Sequence, residues 1–291
     1  MNWDDARIFL AVARQGQILG AAKSLGLNHA TVARRLSALE AALGSRLFRR
    51  KTNGTELTAQ GEGFLVFAET MESASLAAAE ASGSDSAIEG IVRVGAPDGF
   101  GVDFLAPRLG ELVERHPGLR IELVPVPRTF SLSRREADIA VTLERPREGR
   151  LVARKLTDYA LGLYAAPSYL ARHGTPADLT DLIRHRLVGY VEDLLYAASL
   201  DYTDEFLKDW RSTLAVSSAM GQTEAVRAGA GIGILHAFMA RRDPGLVPVL
   251  PAHSLTRSYW IVMHEDLRNL RRVALVADFL VEIVGRDRTM F

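Results

Sequence analysis

Residues 28–51, NHATVARRLSALEAALGSRLFRRK, constrain this chain more than any other stretch. Val32, Leu36, Leu39 and Leu43 recur at helical spacing, so they share one side of a helix. At about 100° per residue, Arg34 points almost directly away from that stripe. Ala30, Thr31, Ser37 and Ala38 lie beside it. A face of small residues around one arginine can approach another surface closely. Asn28 is a good N-cap and Gly44 is placed to end the helix. Arg46, Arg49, Arg50 and Lys51 then follow around the apolar pair Leu47-Phe48. Alone, the segment reads equally as an ordinary core helix followed by a solvated charge run.

The residues before it decide between those readings. Trp3 to Arg14 forms a first helix, with Asp4 and Asp5 favouring its start and Gly16 ending it. Ile18 to Leu25 forms a second, in which Ala21 and Ala22 permit close packing. Gly26-Leu27-Asn28 is a tight turn into the third. Two short helices, a glycine-containing turn and a basic helix make a helix-turn-helix pattern. After Gly44, Arg46–Arg50 and Thr55–Thr58 read as two short strands around Thr52-Asn53-Gly54, and Asn-Gly is a strong hairpin signal. The pattern is a winged helix-turn-helix. Charge agrees: the chain is neutral overall, but residues 1–60 carry nine Lys/Arg against four acids, so one end is +5 and the rest −5. Such asymmetry points to one nucleic-acid-binding end.

This segment resembles the N-terminal domain of LysR-type transcriptional regulators. The matching residues are Phe9, Ala21-Ala22, Leu39-Glu40, Leu43-Gly44, Leu47-Phe48-Arg49-Arg50 and Leu57-Thr58-Ala59-Gln60-Gly61. Departures are Ala33, where the family usually has serine, and Leu19-Gly20 at the start of helix two. The resemblance implies binding to double-stranded DNA. Ala30, Thr31 and Arg34 would then face base edges, with His29 and the capping Asn28 at the helix tip. Arg35, Arg49, Arg50 and Lys51 would contact phosphates, and Asn53 would sit at the wing tip.

Thr58 can cap a long helix to about Ala81, with Phe64, Phe67, Ala68, Met71, Ala74, Ser75 and Ala78 on one face. By resemblance this is a dimerisation helix, giving a homodimer or homotetramer. Ser82-Gly83-Ser84-Asp85-Ser86 reads as a flexible linker. The expected domains are 1–58, DNA-binding; 59–90, linker helix and hinge; and 91–291, effector-binding.

From Ile91 onward the pattern is α/β. Strands are expected at Ile91–Gly95, Arg120–Val126, Asp138–Leu143, Leu161–Ala165, Leu187–Val191, Leu214–Ser217, Ile232–Leu235 and Tyr259–His264. Helices are expected at Phe104–Arg115, Gln222–Ala228 and Asn269–Ile283. Val94–Pro97, Phe104–Pro107, His116-Pro117, Arg135–Ala140 and Gly229–Gly233 also resemble the LysR-type effector domain. The implied fold is a two-lobed, periplasmic-binding-protein-like α/β domain. Lobe 1 would hold 91–160 and 265–291, and lobe 2 would hold 161–264. Such lobes close around a small ligand. Ligands in α/β folds sit beyond the carboxyl ends of parallel strands. Candidate effector residues there are Asp98, Gly99, Phe100, Arg128, Thr129, Arg145, Tyr196 and Gln222. Arg128 and Arg145 suit a carboxylate, whereas Asp98 either repels an anion or caps a helix.

Catalytic and cofactor patterns are missing from the sequence. There are no cysteines. The seven histidines show no metal spacing and there is no Gly-x-Ser-x-Gly elbow. Gly229–Gly233 follows a helix and precedes a strand, the reverse of a dinucleotide fingerprint. Glu192-Asp193 reads as a solvated loop. No apolar run reaches the ~18 residues of a membrane span, and the N-terminus lacks a signal pattern. The expected protein is a cytoplasmic transcriptional regulator, not an enzyme, without cofactor or metal. Its expected partners are DNA, a small-molecule effector, further copies of itself and RNA polymerase. Two alternatives stand beside it. One is a solute-binding or enzymatic α/β domain with an N-terminal protein-interaction module. The other is a constitutive regulator whose cleft is closed by its own side chains.

Overall fold

The computed structural model describes residues 3–51, 54–81, 88–130, 132 and 136–291. The chain divides into two compact units, one containing residues up to 87 and the other most of the remainder. The hairpin residues Thr52 and Asn53, the linker Ser82–Ser86 and residues 131 and 133–135 lie outside the described residues.

In the N-terminal unit, α1 (Trp3–Gln15), α2 (Ile18–Leu25) and α3 (His29–Leu43) follow the sequence pattern to within a residue. Asn28 caps α3 by accepting the Ala30 N–H at 2.8 Å. Gly44 ends it at φ 63°, the left-handed conformation that favours glycine. Val32, Leu36 and Leu39 are buried against Phe9, Val12, Ala21 and Ala22. Phe9 is central: its ring lies 5.2 Å from Phe48 and 4.8 Å, edge-on, from Phe64.

Strands β1 (Phe48–Lys51) and β2 (Gly54–Leu57) pair antiparallel, Phe48 opposite Leu57 and Lys51 opposite Gly54. Helix α4 (Ala59–Ala81) follows. The Leu-Thr-x-x-Gly motif has a physical reason. Thr58 accepts the Gly61 N–H at 3.0 Å and donates its hydroxyl to the Arg46 carbonyl at 2.6 Å. A Cβ on Gly61 would stand 2.1 Å from the Leu47 carbonyl oxygen, so only glycine fits. The apolar face expected on α4 is divided. Phe64, Ala68 and Met71 pack onto the unit's own core, while Phe67 is 68% exposed and Ala74, Ser75 and Ala78 are exposed. Arg14 locks the helix to α1 through two hydrogen bonds to Glu72, at 2.9 and 2.6 Å.

The second unit contains β3 (Gly90–Ala96), α5 (Leu109–Arg115), β4 (Leu119–Pro125), β5 (Ile139–Thr142), β6 (Leu151–Ala165) and α6 (Pro167–His173). Then come β7 (Leu187–Gly189), β8 (Ser212–Ala215), α7 (Ala219–Arg227), β9 (Ile232–His236), α8 (Ala237–Ala240), β10 (Val247–His264) and α9 (Arg271–Arg286). The strand order is β4-β3-β5-β10-β6-β9-β7-β8. A parallel trio at each end, β4-β3-β5 and β9-β7-β8, is joined by the antiparallel pair β10-β6. That is a two-lobed α/β domain with two crossings.

Two sequence expectations are corrected here. The helix expected over Phe104–Arg115 is broken: a wide π-helical turn at Phe100–Leu105 precedes α5. Pro107, which has no N–H to continue the ladder, lies between them, and Arg108 donates to the Phe104 carbonyl at 2.8 Å. The strands expected at Leu161–Ala165 and Tyr259–His264 are ends of much longer ones. β10 hid its length because pairing skips from Val249 to Ser254 around Pro251, with Leu250 at φ 48°.

Candidate nucleic-acid interface and ligand cleft

On α3, Asn28, His29, Ala30 and Arg34 are exposed and Thr31 is half-buried. Arg34 stands on the side opposite the buried stripe, with no ion pair among the described residues. Asn28 has its carboxamide oxygen committed to the cap. Arg35 is turned to the start of α1, where Asp4 and Asp5 pair with it.

The wing arranges its charge differently. Arg49 and Lys51 both reach Glu56 across the hairpin, at 2.6 and 2.8 Å. Their hydrogen bonds, Lys51 first, hold the Glu56 carboxyl below its ordinary range. Arg50, between them in sequence, is exposed and makes no ion pair among the described residues. Asn53 lies outside the described residues.

Sequence reasoning quoted Glu40 only as part of a motif. In the structure it is a buried carboxylate, 8% exposed. It accepts the Leu47 and Phe48 N–H groups at 2.8 and 3.1 Å and Arg46 at 2.9 Å. These bonds join the end of the third helix to the start of the wing, so helix and wing are held in one geometry. The signal was present as an acid seven residues before an apolar pair, which no short-range rule reads.

The effector candidates separate into three groups. Arg128, Thr129, Arg145 and Tyr196 line one cavity of about 320 Å³. Arg128 pairs with Glu136 at 2.6 Å, and Arg145 lies over the Trp260 ring. Gln222 lines another cavity, of about 420 Å³, and donates to the Val216 carbonyl at 2.9 Å. Asp98, Gly99 and Phe100 are on neither wall. Phe100 is in the core against Tyr259 and Phe104. Gly99 permits close approach, since a Cβ there would meet Ala219 Cβ at 3.2 Å and Met239 Sδ at 3.3 Å.

Asp98 is buried and joins the lobes. Its Oδ2 accepts the Ser218 hydroxyl at 2.7 Å and the Met220 N–H at 3.1 Å, at the N-terminus of α7. Of the two roles read from sequence, helix capping is the one the geometry displays, and the helix belongs to the other lobe. His236 stacks on Tyr159 at 5.1 Å, and burial lowers its imidazole to about 4, so it is neutral at pH 7. Of the groups around Asp98 the sequence offered Tyr196; Ser218, His236 and the other tyrosines were missed because they are distant in sequence from Asp98.

A winged helix-turn-helix unit with an outward-facing arginine, on a chain that also carries a two-lobed α/β domain, defines a ligand-responsive transcriptional regulator. Residues 3–62 match the bacterial regulatory helix-turn-helix protein, lysR family, and residues 86–284 match the LysR substrate binding domain. The chain therefore belongs to the LysR family of transcriptional regulators. It is 28% identical to the HTH-type transcriptional regulator CrgA of Neisseria meningitidis, over 98% of each chain. It is also 28% identical to the Mau operon transcriptional activator of Paracoccus denitrificans, over 99% of each. The solved structure of CrgA superposes with a TM-score of 0.62 at 26% identity, covering 98% of this chain and 99% of that one. Among the described residues, no helix is long and apolar enough to cross a membrane.

Proposed function

We propose that Arg34 is the principal base-reading side chain, with Ala30, Thr31 and His29 shaping the close approach around it. Arg50 meets phosphate, and Arg49 and Lys51 join it while sharing Glu56. Arg35 contributes to the fold of the head through Asp4 and Asp5, and to DNA contact less than its position in sequence suggested. The observation that carries this reading is Arg34 itself, exposed and without an ion pair among the described residues on the face opposite the buried stripe. An arginine bidentate to guanine contributes roughly 1–3 kcal/mol of discrimination.

In this reading residues 1–58 are the DNA-binding domain. Residues 59–90 hold copies of the chain together, with exposed Phe67 and Val66 offering the contact. Residues 91–291 bind a small effector between the lobes, whose crossings fall within β6 and β10. The protein acts in the cytoplasm as a dimer or tetramer, catalyses no reaction, and communicates with RNA polymerase. Selection of bound duplexes from a random pool by the full chain tests this. The expected result is a two-half-site motif with spacing near one or more helical turns. Recovery of duplexes with no shared motif would sink the reading.

A further inference from the structure

Five of the seven tyrosines in the chain gather about Asp98: Tyr159, Tyr190, Tyr196, Tyr202 and Tyr259. Tyr159 and Tyr259 stack at 4.2 Å, and Tyr190 meets Tyr202 edge-on at 6.4 Å. Burial, above all, raises all five phenols, and the Asp98 charge adds to it at Tyr190, Tyr196 and Tyr259. Of these neutral rings, Tyr190 and Tyr202 line a cavity.

Asp98 is 5% exposed. Both of its hydrogen bonds fall on Oδ2, while Oδ1 is buried and accepts from nothing. The Tyr259 hydroxyl is also buried and unpartnered. Among the described residues no lysine or arginine pairs with Asp98. His236 is neutral, and Arg257, which acts on Tyr159 and Tyr202, is engaged by Glu205. A buried carboxylate with no counter-charge is costly to fold around.

The neighbouring cavity has the same sign. Asp98 bonds to the N-terminus of α7, whose Gln222 lines the space of about 420 Å³ together with Tyr190, Tyr202 and Trp210. Glu192, Asp201 and Asp204 line it too. Its wall cation among the described residues, Arg211, is paired with Asp204 and Asp209. An anion is disfavoured here, and Asp98 already occupies the α7 terminus that would receive one.

We propose that the ligand taken between the lobes carries an organic cation, an alkylammonium or similar group, held in the cavity of about 420 Å³ against the Tyr190 and Tyr202 faces by the charges of Glu192, Asp201 and Asp204 on its wall and of Asp98 behind it. Cations bind aromatic faces most strongly when desolvated, and carboxylates in and behind the wall add to that. The proposal rests on the reading that this domain binds its effector between the lobes.

The test uses the full chain, with melting temperature and tryptophan fluorescence as readouts. Probes are methylammonium, 1,4-diaminobutane and choline chlorides, against sodium chloride of matched ionic strength and sodium succinate. The expected result is a saturable rise with at least one cationic probe. Binding should weaken about tenfold in Asp98→Asn. In the Glu192→Gln/Asp201→Asn double variant, whose changes are exposed and leave the core intact, it should weaken several-fold. No saturable rise with any cation, or equal binding in the variants, overturns the proposal. Saturable binding of succinate instead, lost in Arg145→Ala, would remove the cationic ligand and leave the cleft reading standing. Binding of either class that no cleft substitution alters would remove both.

Discussion

Arg34 on α3 and Asp98 after β3 are both charged side chains without an ion pair among the described residues, and they stand in opposite environments. Arg34 projects from an exposed face at no desolvation cost until a partner arrives. Asp98 is buried, with one oxygen satisfied across the lobes and the other not. On the proposed roles, function in the head lies in what a rigid scaffold leaves free at the surface, and in the ligand domain in what burial leaves incomplete. The first kind of site should respond to substitution through affinity and salt, the second through stability and pH.

The largest expected effect tests the scaffold of the head. Glu40→Ala strands the N–H groups of Leu47 and Phe48 and should destabilise the N-terminal unit by about 3–5 kcal/mol. Urea unfolding would register this as an early transition. DNA affinity should fall on every sequence alike, and a loss confined to particular base pairs would break the separation of scaffold from reading face.

His236 tests the other side of the comparison. Its ordinary value near 6.5 is lowered to about 4 by burial, partly opposed by Asp98, with Tyr159 stacked on it and Phe238 edge-on. A depressed histidine gives stability that is fully present above 6.5 and is lost as pH falls toward 4. The interval is worth roughly 3 kcal/mol. Melting of the wild-type effector unit should therefore drop across that window more steeply than that of His236→Gln. Parallel pH profiles would show that the histidine does not carry the dependence.

Asn28→Ala separates capping from reading. It should cost about 1 kcal/mol of stability and leave the order of preferred sequences unchanged; a reordered preference in a binding panel would mean that the carboxamide reads bases. Smallest is Arg50→Ala, which should weaken all sequences several-fold and lower the slope of log K against log salt by about 0.9. An unchanged slope in mobility-shift titrations would remove Arg50 from the phosphate contacts.

The same contrast explains what was legible in the sequence. The head is built from contacts close in sequence: an N-cap two residues from its donor, and hairpin pairs three to nine residues apart around an Asn-Gly turn signal. Spacing rules reach that far, and they placed α1, α2 and α3 to within a residue. Glu40 escaped because neither helical nor hairpin spacing links a carboxylate near a helix end to backbone N–H groups of the wing. In the ligand domain Asp98 meets Ser218 across 120 residues, and no periodicity connects them. The long strand β10 was legible only at its end because Pro248 and Pro251 and the irregular pairing interrupt its alternation. The α4 face was read as one stripe because sequence cannot tell which half of an apolar side its own domain covers.

Reading of sequence by Arg34, on a face the rest of the head holds rigid, is the core of the proposed function. Its most direct test is equilibrium titration of wild type and Arg34→Ala against the selected duplex and its single-base-pair variants at several salt concentrations. Wild type should discriminate by roughly 1–3 kcal/mol at one G·C pair in each half-site. In Arg34→Ala that discrimination should vanish while the affinity for unrelated duplex changes little. If Arg34→Ala keeps the wild-type order of preference, the reading face lies elsewhere and the account is wrong.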